Sequence, residues 1–318
     1  MTHRPKPAQQ ADPALRDKAA PMIRMTLNLI GCGHVGQVLG RLFFGQHRLQ
    51  AGAVLNRSLD SGTRATTFMG AGTAVESIGS MPAADLWLLG CPDQQLAACA
   101  AALAHSGRLQ PGQIVFHCSG ALGSDTLAIL RPTGAVLASV HPVRSFADPR
   151  TALEGFPGTA CGMEGDDAAL GVLEPLFQAL GGRPFRIGTR HKLLYHAASV
   201  MACNYLVALM ETSLQLLAQA GVERTQALAL LQPLVTGTAA NVFASGTAAA
   251  LSGPIARADH ELVARQWQAV ADWQPEAGEL YRLLGRQALT LATRTGQDDP
   301  ERTARLRLIR ELFEDKTA

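Results

Sequence analysis

A lysine, a histidine and an asparagine recur at helical spacing in a mostly apolar segment that begins near residue 189. Lys192 and His196 are four residues apart and therefore neighbours on one helical face. Asn204 follows roughly 80° around the helix from His196, at about 100° per residue. Desolvation could lower the pKa of Lys192 toward usefulness as an acid. The spacing favours a catalytic face that points into a cleft. The alternative is that Lys192 reaches solvent and Asn204 satisfies a backbone group.

A glycine-rich turn follows the first predicted strand, Met25–Ile30, and opens a predicted helix. In such a GxGxxG turn the glycines permit the tight bend, the approach of a pyrophosphate and close helix–strand packing. The N-terminus of the helix then faces the phosphate charge. This context indicates a dinucleotide site, the alternative being a glycine-rich turn without a ligand. The turn consists of Gly31, Cys32, Gly33, His34, Val35 and Gly36.

The end of the second predicted strand, Ala51–Leu55, favours NADP over NAD. An NAD site usually places an acidic residue there to hold the ribose 2′-hydroxyl, and no acid follows this strand before Asp60. Arg57 could instead pair with a 2′-phosphate, with Asn56 and Ser58 donating hydrogen bonds. The alternative is that Arg57 is a solvated surface arginine.

Later strand ends supply further candidates, because ligands of open α/β sheets bind beyond the carboxyl ends of the strands. After the strand predicted at Leu86–Leu89, Cys91 and Pro92 leave room for the nicotinamide ribose, unless they form a plain turn. Ser119 offers a hydroxyl to a substrate carboxylate or to the nicotinamide amide. His141 could act as a general acid or polarise a carbonyl, although a lone histidine is more often structural.

The stretch Gly253–Asp259 is the last unusual segment. Its Gly-Pro pair breaks one predicted helix, and Asp259 could cap the next one. Arg257 would then be free to bind an anionic substrate. Alternatively, Arg257 and Asp259 only fix the turn.

The order of elements predicts an α/β fold. Short apolar strands alternate with helices up to about residue 188, which indicates a parallel sheet covered on both faces. From about residue 189 only helical periodicity remains. We therefore expect a Rossmann-type domain over residues 25–188 and an all-helical domain over residues 189–318. Residues 1–24 are expected to be a disordered extension, or to precede a true start at Met22 or Met25.

Composition narrows the class of protein. The chain has 318 residues, 47% of them hydrophobic and 17% charged, and 28 basic against 26 acidic residues give a net charge of +2. This near-neutral balance lacks the excess of positive charge that is typical of proteins that bind nucleic acid or an anionic membrane. The six cysteines form no CxxC pair and have no zinc-ligand spacing, so neither a disulfide framework nor a metal site is expected. We see no uninterrupted apolar run of roughly 18 residues that would predict a membrane span.

Taken together, the motifs resemble bacterial proteins that join a Rossmann-like domain to a C-terminal domain of unknown function, DUF2520. The likeness extends from Met25 to about Leu291. Two residues depart from the pattern, since Cys91 replaces a small aliphatic residue and Ala258 replaces a glycine. The likeness is carried by Gly31–Gly36, Asn56-Arg57, Pro92-Asp93, the stretch from His117 to Gly120, His141-Pro142, the run from Lys192 to Asn204, and Gly253–Asp259.

More distantly, the chain is similar to pyrroline-5-carboxylate reductase, ketopantoate reductase, 3-hydroxyisobutyrate dehydrogenase and prephenate dehydrogenase. This resemblance implies hydride transfer at a cleft between a Rossmann domain and a helical domain like that of 6-phosphogluconate dehydrogenase, which often dimerises. The hydroxyisobutyrate-type enzymes carry a lysine with an asparagine four residues on, so the dyad here would be Lys192 and His196. The prephenate-type enzymes carry a His-Pro whose histidine assists hydride transfer, and His141 matches it.

We therefore expect a cytoplasmic NADPH-dependent oxidoreductase that is a homodimer through its helical domain. It would transfer hydride to or from a carbonyl or imine of a small anionic substrate in the interdomain cleft, without a metal. The competing hypothesis is a non-catalytic NADP-binding sensor or scaffold. The sequence names neither the substrate nor the direction of reaction. The expected catalytic residues are Lys192, His196, His141 and Asn204, and the expected substrate-binding residues are Ser119 and Arg257.

Overall fold

The computed structural model describes residues 25–294 and 299–314, which divide into two compact units between Ser199 and Val200. The extension expected at residues 1–24 lies outside the described residues. The first unit contains a sheet with flanking helices, and the second unit is helical. The domain boundary expected near residue 188 stays a prediction, since the contacts group the helix Lys192–Ser199 with the sheet.

In the described part of the chain, eight strands form one sheet. They are β1 Thr26–Ile30, β2 Gln50–Leu55, β3 Thr73–Val75, β4 Leu86–Leu89, β5 Ile114–His117, β6 Val136–Pro142, β7 Ala160–Gly165 and β8 Arg183–Arg186. Their order across the sheet is β3-β2-β1-β4-β5-β6-β7-β8. The strands from β3 to β6 are parallel, β7 runs antiparallel to β6, and β8 is parallel to β7. The expected Rossmann-type α/β fold is confirmed, with β7 and β8, which run opposite to the other six strands, as the exceptions to a wholly parallel sheet.

Helices cover both faces of this sheet. They are α1 His34–Gly45, α2 Leu59–Met69, α3 Asp93–His105, α4 Pro149–Glu154, α5 Asp167–Ala179 and α6 Lys192–Ser199, with a 3₁₀ segment at Ser124–Thr133. On one face Phe43 of α1 and Phe177 of α5 meet edge to face, with ring centroids 5.5 Å apart. On the other face Trp87 of β4 packs in a cluster with Leu96 and Leu103 of α3. Burial on both faces explains why β4 is apolar at every position.

The winding of the chain changes between β1 and β4, which are neighbours in the sheet but not in sequence. Such a switch point leaves a crevice at the carboxyl ends of the strands, where ligands of these folds bind. The turns after the two strands touch there. A Cβ on Gly90 would stand 2.3 Å from the carbonyl oxygen of Gly31, so only glycine fits at position 90.

Residues of the second unit form seven helices within its described ranges. They are α7 Tyr205–Gln219, α8 Arg224–Ser245, α9 Thr247–Ala250, α10 Gly253–Ala256, α11 His260–Trp273, α12 Pro275–Ala292 and α13 Pro300–Phe313. Proline at the first position of α12 and α13 costs no hydrogen bond. Asp299 caps α13 by accepting a hydrogen bond from the backbone N–H of Glu301 at 3.0 Å. Phe313 closes the core formed by α11, α12 and α13, with edge-to-face contacts to Trp267 and Tyr281.

Two helical segments of the described chain are long and apolar enough to cross a membrane by length and composition alone. They span Thr189–Gln219 and Arg224–Ser245, with mean hydropathies of 1.5 and 1.4. Scattered polar residues interrupt both segments, which is why counting uninterrupted apolar runs missed them. Neither is packed inside the chain, because none of the first segment's most apolar window and only 11% of the second's is buried.

Candidate functional site

A cavity of about 720 Å³ lies at the carboxyl ends of β1, β2 and β4. It occupies the crevice where the sheet topology predicts a ligand. The wall of this cavity includes every cofactor-site residue expected from the sequence except Gly36 and Ser58. The expected residues that line it are Gly31, Cys32, Gly33, His34, Val35, Asn56, Arg57, Cys91 and Pro92.

The backbone of the glycine turn fits a dinucleotide pyrophosphate. Gly31 has a φ of +78°, and a Cβ there would stand 2.6 Å from the backbone nitrogen of Cys91. A Cβ on Gly33 would meet no described atom within 4 Å, which leaves the space that a phosphate needs to approach the backbone. A Cβ on Gly36 would come within 3.3 Å of the Cys32 sulfur, so this glycine allows α1 to pack closely.

Asn56 and Ser58 stabilise the protein's own backbone. The Asn56 side chain accepts a hydrogen bond from the backbone N–H of Cys32 at 2.6 Å and donates to the Ser61 carbonyl at 3.0 Å. It therefore ties the glycine turn to the end of β2. The Ser58 hydroxyl caps α2 by accepting from the backbone N–H of Ser61 at 3.2 Å. Their expected hydrogen bonds to a 2′-phosphate stay a prediction.

Two arginines stand on the wall of the cavity near the end of β2. Arg57 is exposed, as a residue that binds a diffusing anion must be. Arg64, in the second turn of α2, also lines the cavity and forms an ion pair with Asp60. The sequence analysis missed Arg64, and its signal was a second arginine seven residues after the first. Two guanidinium groups at one edge favour a phosphate, which each can bind through paired hydrogen bonds.

The segment after β6 reaches the same cavity. His34, the first residue of α1, is hydrogen-bonded through Nδ1 to the Phe146 carbonyl oxygen at 2.7 Å. The Phe146 side chain contributes to the wall of the cavity. His34 therefore ties the glycine turn to this segment. Phe146 has no motif around it that could have predicted this position.

A second polar cluster forms where β6 ends and α6 begins. His141 Nδ1 lies 2.9 Å from the hydroxyl oxygen of Tyr195, and the centroid of its ring lies 5.9 Å from that of His196. Burial lowers the pKa of His141 to about 4, assisted by the positive charge of Lys192. His141 is therefore neutral near pH 7. Tyr195 was not expected here, and burial raises the pKa of its phenol to about 12.

Lys192 is buried in the first unit, with a side chain that is only 1% exposed. Its ammonium group donates to the Ser139 hydroxyl and lies 3.5 Å from a Glu164 carboxylate oxygen, whose side chain is also 1% exposed. Burial lowers the pKa of Lys192, and Glu164 opposes that shift. The alternative that Lys192 reaches solvent is therefore wrong. Glu164 also accepts from Ser124 and Thr189, which places the pair at the centre of a buried polar network.

The helical projection that grouped Asn204 with Lys192 does not describe the structure. A π-helical segment, Val200–Asn204, follows α6 and changes the number of residues per turn. The projection at about 100° per residue holds only for an uninterrupted α-helix. Asn204 is exposed, whereas Lys192 is buried and His196 is half-buried. Asn204 also falls in the second unit, which begins at Val200.

The turn around Arg257 is formed as the sequence suggested. Asp259 caps α11 by accepting from the backbone N–H of Leu262 at 3.1 Å. Arg257 is exposed and lines a polar cavity of the second unit. Ala258 has a φ of +56°, a left-handed conformation that favours glycine. This explains why glycine is usual there and shows that alanine still permits the turn.

Ser119 is engaged within its own loop. Its hydroxyl donates to Asp93 at 2.7 Å and accepts from the backbone N–H groups of Ala121 and Leu122 at 3.2 and 2.9 Å. The residue is only 8% exposed. This arrangement supports the turn after β5, and the expected contact with a substrate stays a prediction.

His117 is a structural residue with both ring nitrogens engaged. Nδ1 accepts from the backbone N–H of Ser119 and Nε2 donates to the Gly123 carbonyl, each at 3.1 Å. The ring is wholly buried. Burial lowers the pKa of His117 from 6.5 to about 4, and the charge of Lys192 adds to the shift. A neutral His117 therefore holds the turn after β5.

We expect acid to destabilise the protein through this histidine. Between pH 6.5 and about 4 the unfolded chain protonates His117 and the folded chain does not. The stabilisation is thus present above pH 6.5 and is lost as the pH falls toward 4, by about 3 kcal/mol in total. Urea unfolding over this range measures the loss. His117→Asn should reduce this pH dependence and leave the share of His141, whose pKa is also lowered to about 4, while the exposed His105→Asn should leave the whole dependence unchanged. Equal curves for all three proteins would contradict the assignment.

The fold and the glycine turn define a protein of the Rossmann type. Family models match the chain as a Rossmann-like domain over residues 11–142 and as the domain of unknown function DUF2520 over residues 159–288. The chain is therefore a Rossmann-like protein with a DUF2520 domain, which confirms the resemblance drawn from its motifs. No curated protein matches it. Among the residues described, no group of three histidine, cysteine or acidic side chains could hold a metal ion.

Solved structures share this architecture. Protein TM1727 from Thermotoga maritima is 25% identical with a TM-score of 0.68, covering 84% of this chain and 98% of its own. A Bacteroides fragilis protein named as a putative NADP oxidoreductase is 18% identical with a TM-score of 0.65, covering 83% and 98%. A pyrroline carboxylate reductase from Plasmodium falciparum, solved with NADP bound, is 11% identical with a TM-score of 0.51, covering 91% and 98%. At these identities the last two likenesses concern the fold.

Proposed function

We propose that the protein is a cytoplasmic NADPH-dependent oxidoreductase that acts on a carbonyl or imine of a small anionic substrate. The observation that carries the proposal is the row of groups along the carboxyl edge of the sheet. In the strand register Leu89 of β4, His117 of β5 and Ser139 of β6 are aligned. Two residues beyond them come Cys91, on the wall of the cofactor cavity, and His141. Because neighbouring strands lie about 4.8 Å apart, the ends of β4 and β6, on either side of β5, stand roughly 10 Å apart, a distance that a nicotinamide ring and a small substrate could span above the end of β5.

NADPH, when bound, supplies the hydride. Arg57 and Arg64 would hold its 2′-phosphate, and the glycine turn at the start of α1 would hold its pyrophosphate. His141 is neutral, and a neutral imidazole N–H can polarise a carbonyl oxygen and stabilise the charge that develops on it. Lys192 is shielded from any substrate in the first unit, so we assign it a positioning role through α6, which carries Tyr195 and His196.

Turnover assays test this function. NADPH oxidation is followed with a panel of small 2-oxo acids and cyclic imino acids, using the wild-type protein, His141→Ala and the exposed-histidine control His105→Ala. We expect at least one substrate, with turnover about 10²- to 10³-fold lower in His141→Ala and unchanged in the control. NADPH binding without turnover of any compound would instead support the sensor hypothesis.

We also propose that a second copy of the chain covers α7 and α8. These helices pack on each other through Leu214, Ala227 and Leu231 but expose many large apolar side chains, Phe243 being 90% exposed. A specific dimer buries about 800 Å² per partner, which a whole apolar helix face can supply.

The alternative occupant, a membrane, is disfavoured by the exposed ion pair of Glu211 with Arg224 on these helices, at 2.8 Å. Light scattering should give twice the mass of one chain, and a monomer or co-sedimentation with lipid vesicles would overturn this proposal.

A further inference from the structure

Two imidazole nitrogens of the first unit face the same glycine. A Cβ on Gly120 would stand 2.5 Å from Nδ1 of His196 and 2.9 Å from Nε2 of His141. A side chain at position 120 would collide with both rings, so glycine lets the two imidazole nitrogens approach the backbone there. Nδ1 of His196 is shielded from solvent and has no hydrogen-bond partner among the described residues. Leaving a buried polar atom unpaired is unfavourable, so a ligand atom that pairs with it would relieve that cost.

The hydroxyl of Tyr195 occupies a space that another glycine provides. His141 of β6 is directly opposite Gly162 of β7 in the antiparallel register. A Cβ on Gly162 would stand 2.7 Å from the Tyr195 hydroxyl oxygen. The absence of a side chain at position 162 therefore lets the phenol reach over β7 to Nδ1 of His141 at 2.9 Å. The edge-to-face contact of Tyr195 with Phe185 of β8 fixes the phenol ring from its other side.

The direction of this hydrogen bond follows from the protonation states. A neutral imidazole has one N–H and one lone pair, while a phenol carries a proton that needs an acceptor when buried. Nδ1 of His141 is the acceptor that the structure provides for the Tyr195 hydroxyl. If the phenol donates to Nδ1, the imidazole proton must be on Nε2, the nitrogen that faces Gly120. The titratable groups that act on the pKa of His141 are Lys192 and His196, which lower it, and Asp93, which raises it.

We infer that Tyr195 is a positioning residue that holds His141 in the tautomer with its proton on Nε2. His141 then presents its Nε2–H on the side of the ring that faces Gly120 and His196. This half of the inference depends only on the structure. The other half, which rests on the proposed function, is that one oxygen atom of the substrate accepts a hydrogen bond from Nε2 of His141.

Nitrogen-15 NMR of the histidine side chains tests the tautomer without any substrate. In the wild-type protein, His141 should show a protonated Nε2 and an unprotonated Nδ1. Tyr195→Phe removes the donor that stabilises the neutral ring, so the Nδ1–H tautomer should become populated and the pKa of His141 should rise toward its ordinary value. Tyr281→Phe, which also removes a bonded hydroxyl but in the second unit, should leave His141 unchanged. A protonated Nδ1 in the wild type, or identical spectra for wild type and Tyr195→Phe, would overturn the inference.

Kinetic measurements test whether the His141 tautomer contributes to turnover, separately from whether the tautomer exists. With whichever oxo or imino acid the assays identify, Tyr195→Phe should lower kcat about 3- to 10-fold, as expected for the loss of one hydrogen bond, and leave NADPH affinity intact. An unchanged kcat alongside the expected NMR change would overturn the oxygen-binding half and leave the tautomer established. If no compound is turned over, the proposed function fails, and the NMR result still decides the role of Tyr195.

Discussion

Arg57→Ala is expected to weaken NADPH binding by about 10- to 100-fold while changing NADH binding less than about 2-fold. The two cofactors differ only by the 2′-phosphate, and a charge-assisted hydrogen bond to a charged group is worth about 1.5–3 kcal/mol. Arg57 is exposed on the cavity wall at the end of β2, and no acidic residue lies between that end and Asp60 to hold an unphosphorylated ribose. Fluorescence titration of each cofactor measures both dissociation constants.

Neighbouring arginines serve as matched variants. Arg64→Ala should also reduce NADPH affinity selectively, but by less than Arg57→Ala does, because the ion pair with Asp60 partly neutralises the charge of Arg64. Arg48→Ala removes an exposed arginine that does not line the cavity, and it should bind both cofactors as the wild type does. Equal losses of NADPH and NADH affinity in Arg57→Ala would refute the assignment of NADP.

Lys192→Met is expected to lower the free energy of unfolding by roughly 3–5 kcal/mol, because it leaves the Glu164 carboxylate buried without its cation. Both side chains are only 1% exposed, so water cannot replace the lost partner. Adding Glu164→Gln should restore part of the stability, since an amide costs less to bury than an unpaired charge. Urea unfolding of the two single variants and the double variant measures the coupling between the residues.

An exposed ion pair provides the control for the double-mutant cycle of Lys192 and Glu164. Arg131 and Asp166 are paired at 3.2 Å with side chains 54% and 28% exposed, and breaking such a pair should cost about 0–1 kcal/mol. A Lys192→Met protein as stable as the wild type would contradict the buried pairing. If that stable protein also lost turnover, Lys192 would be the catalytic group that its sequence spacing first suggested.

Local sequence patterns were sufficient to predict most strands of the first unit. Burial on both faces makes the central strands apolar, so β1, β2 and β4 stood out from the sequence within one residue of their observed ends. The edge strand β3 was missed because it has only three residues and none of them is fully buried. The antiparallel direction of β7 was also missed, because an apolar run does not reveal the direction of a strand.

The sequence predicted less of the candidate site than of the fold. The glycine turn and Arg57 could be identified because the proposed cofactor site requires those residue types at that spacing. The neighbours of Lys192 could not, since Ser139 and Glu164 lie on two strands that the fold brings beneath α6. The π-helical segment before α7 likewise has no local signal, and it invalidates the projection at about 100° per residue that grouped Asn204 with Lys192. Tyr195 was hidden because its partner, His141, is 54 residues away in sequence.

A crystal structure of the protein with NADP⁺ bound tests the proposed oxidoreductase most directly. We predict the 2′-phosphate between Arg57 and Arg64, the pyrophosphate against the backbone of Gly33, and the nicotinamide beside Cys91 and Pro92. The reactive face of the nicotinamide should be open toward His141, with space for a small substrate between them. A nicotinamide ring that points away from His141, or is separated from it by packed side chains, would contradict the proposed function and support the sensor hypothesis.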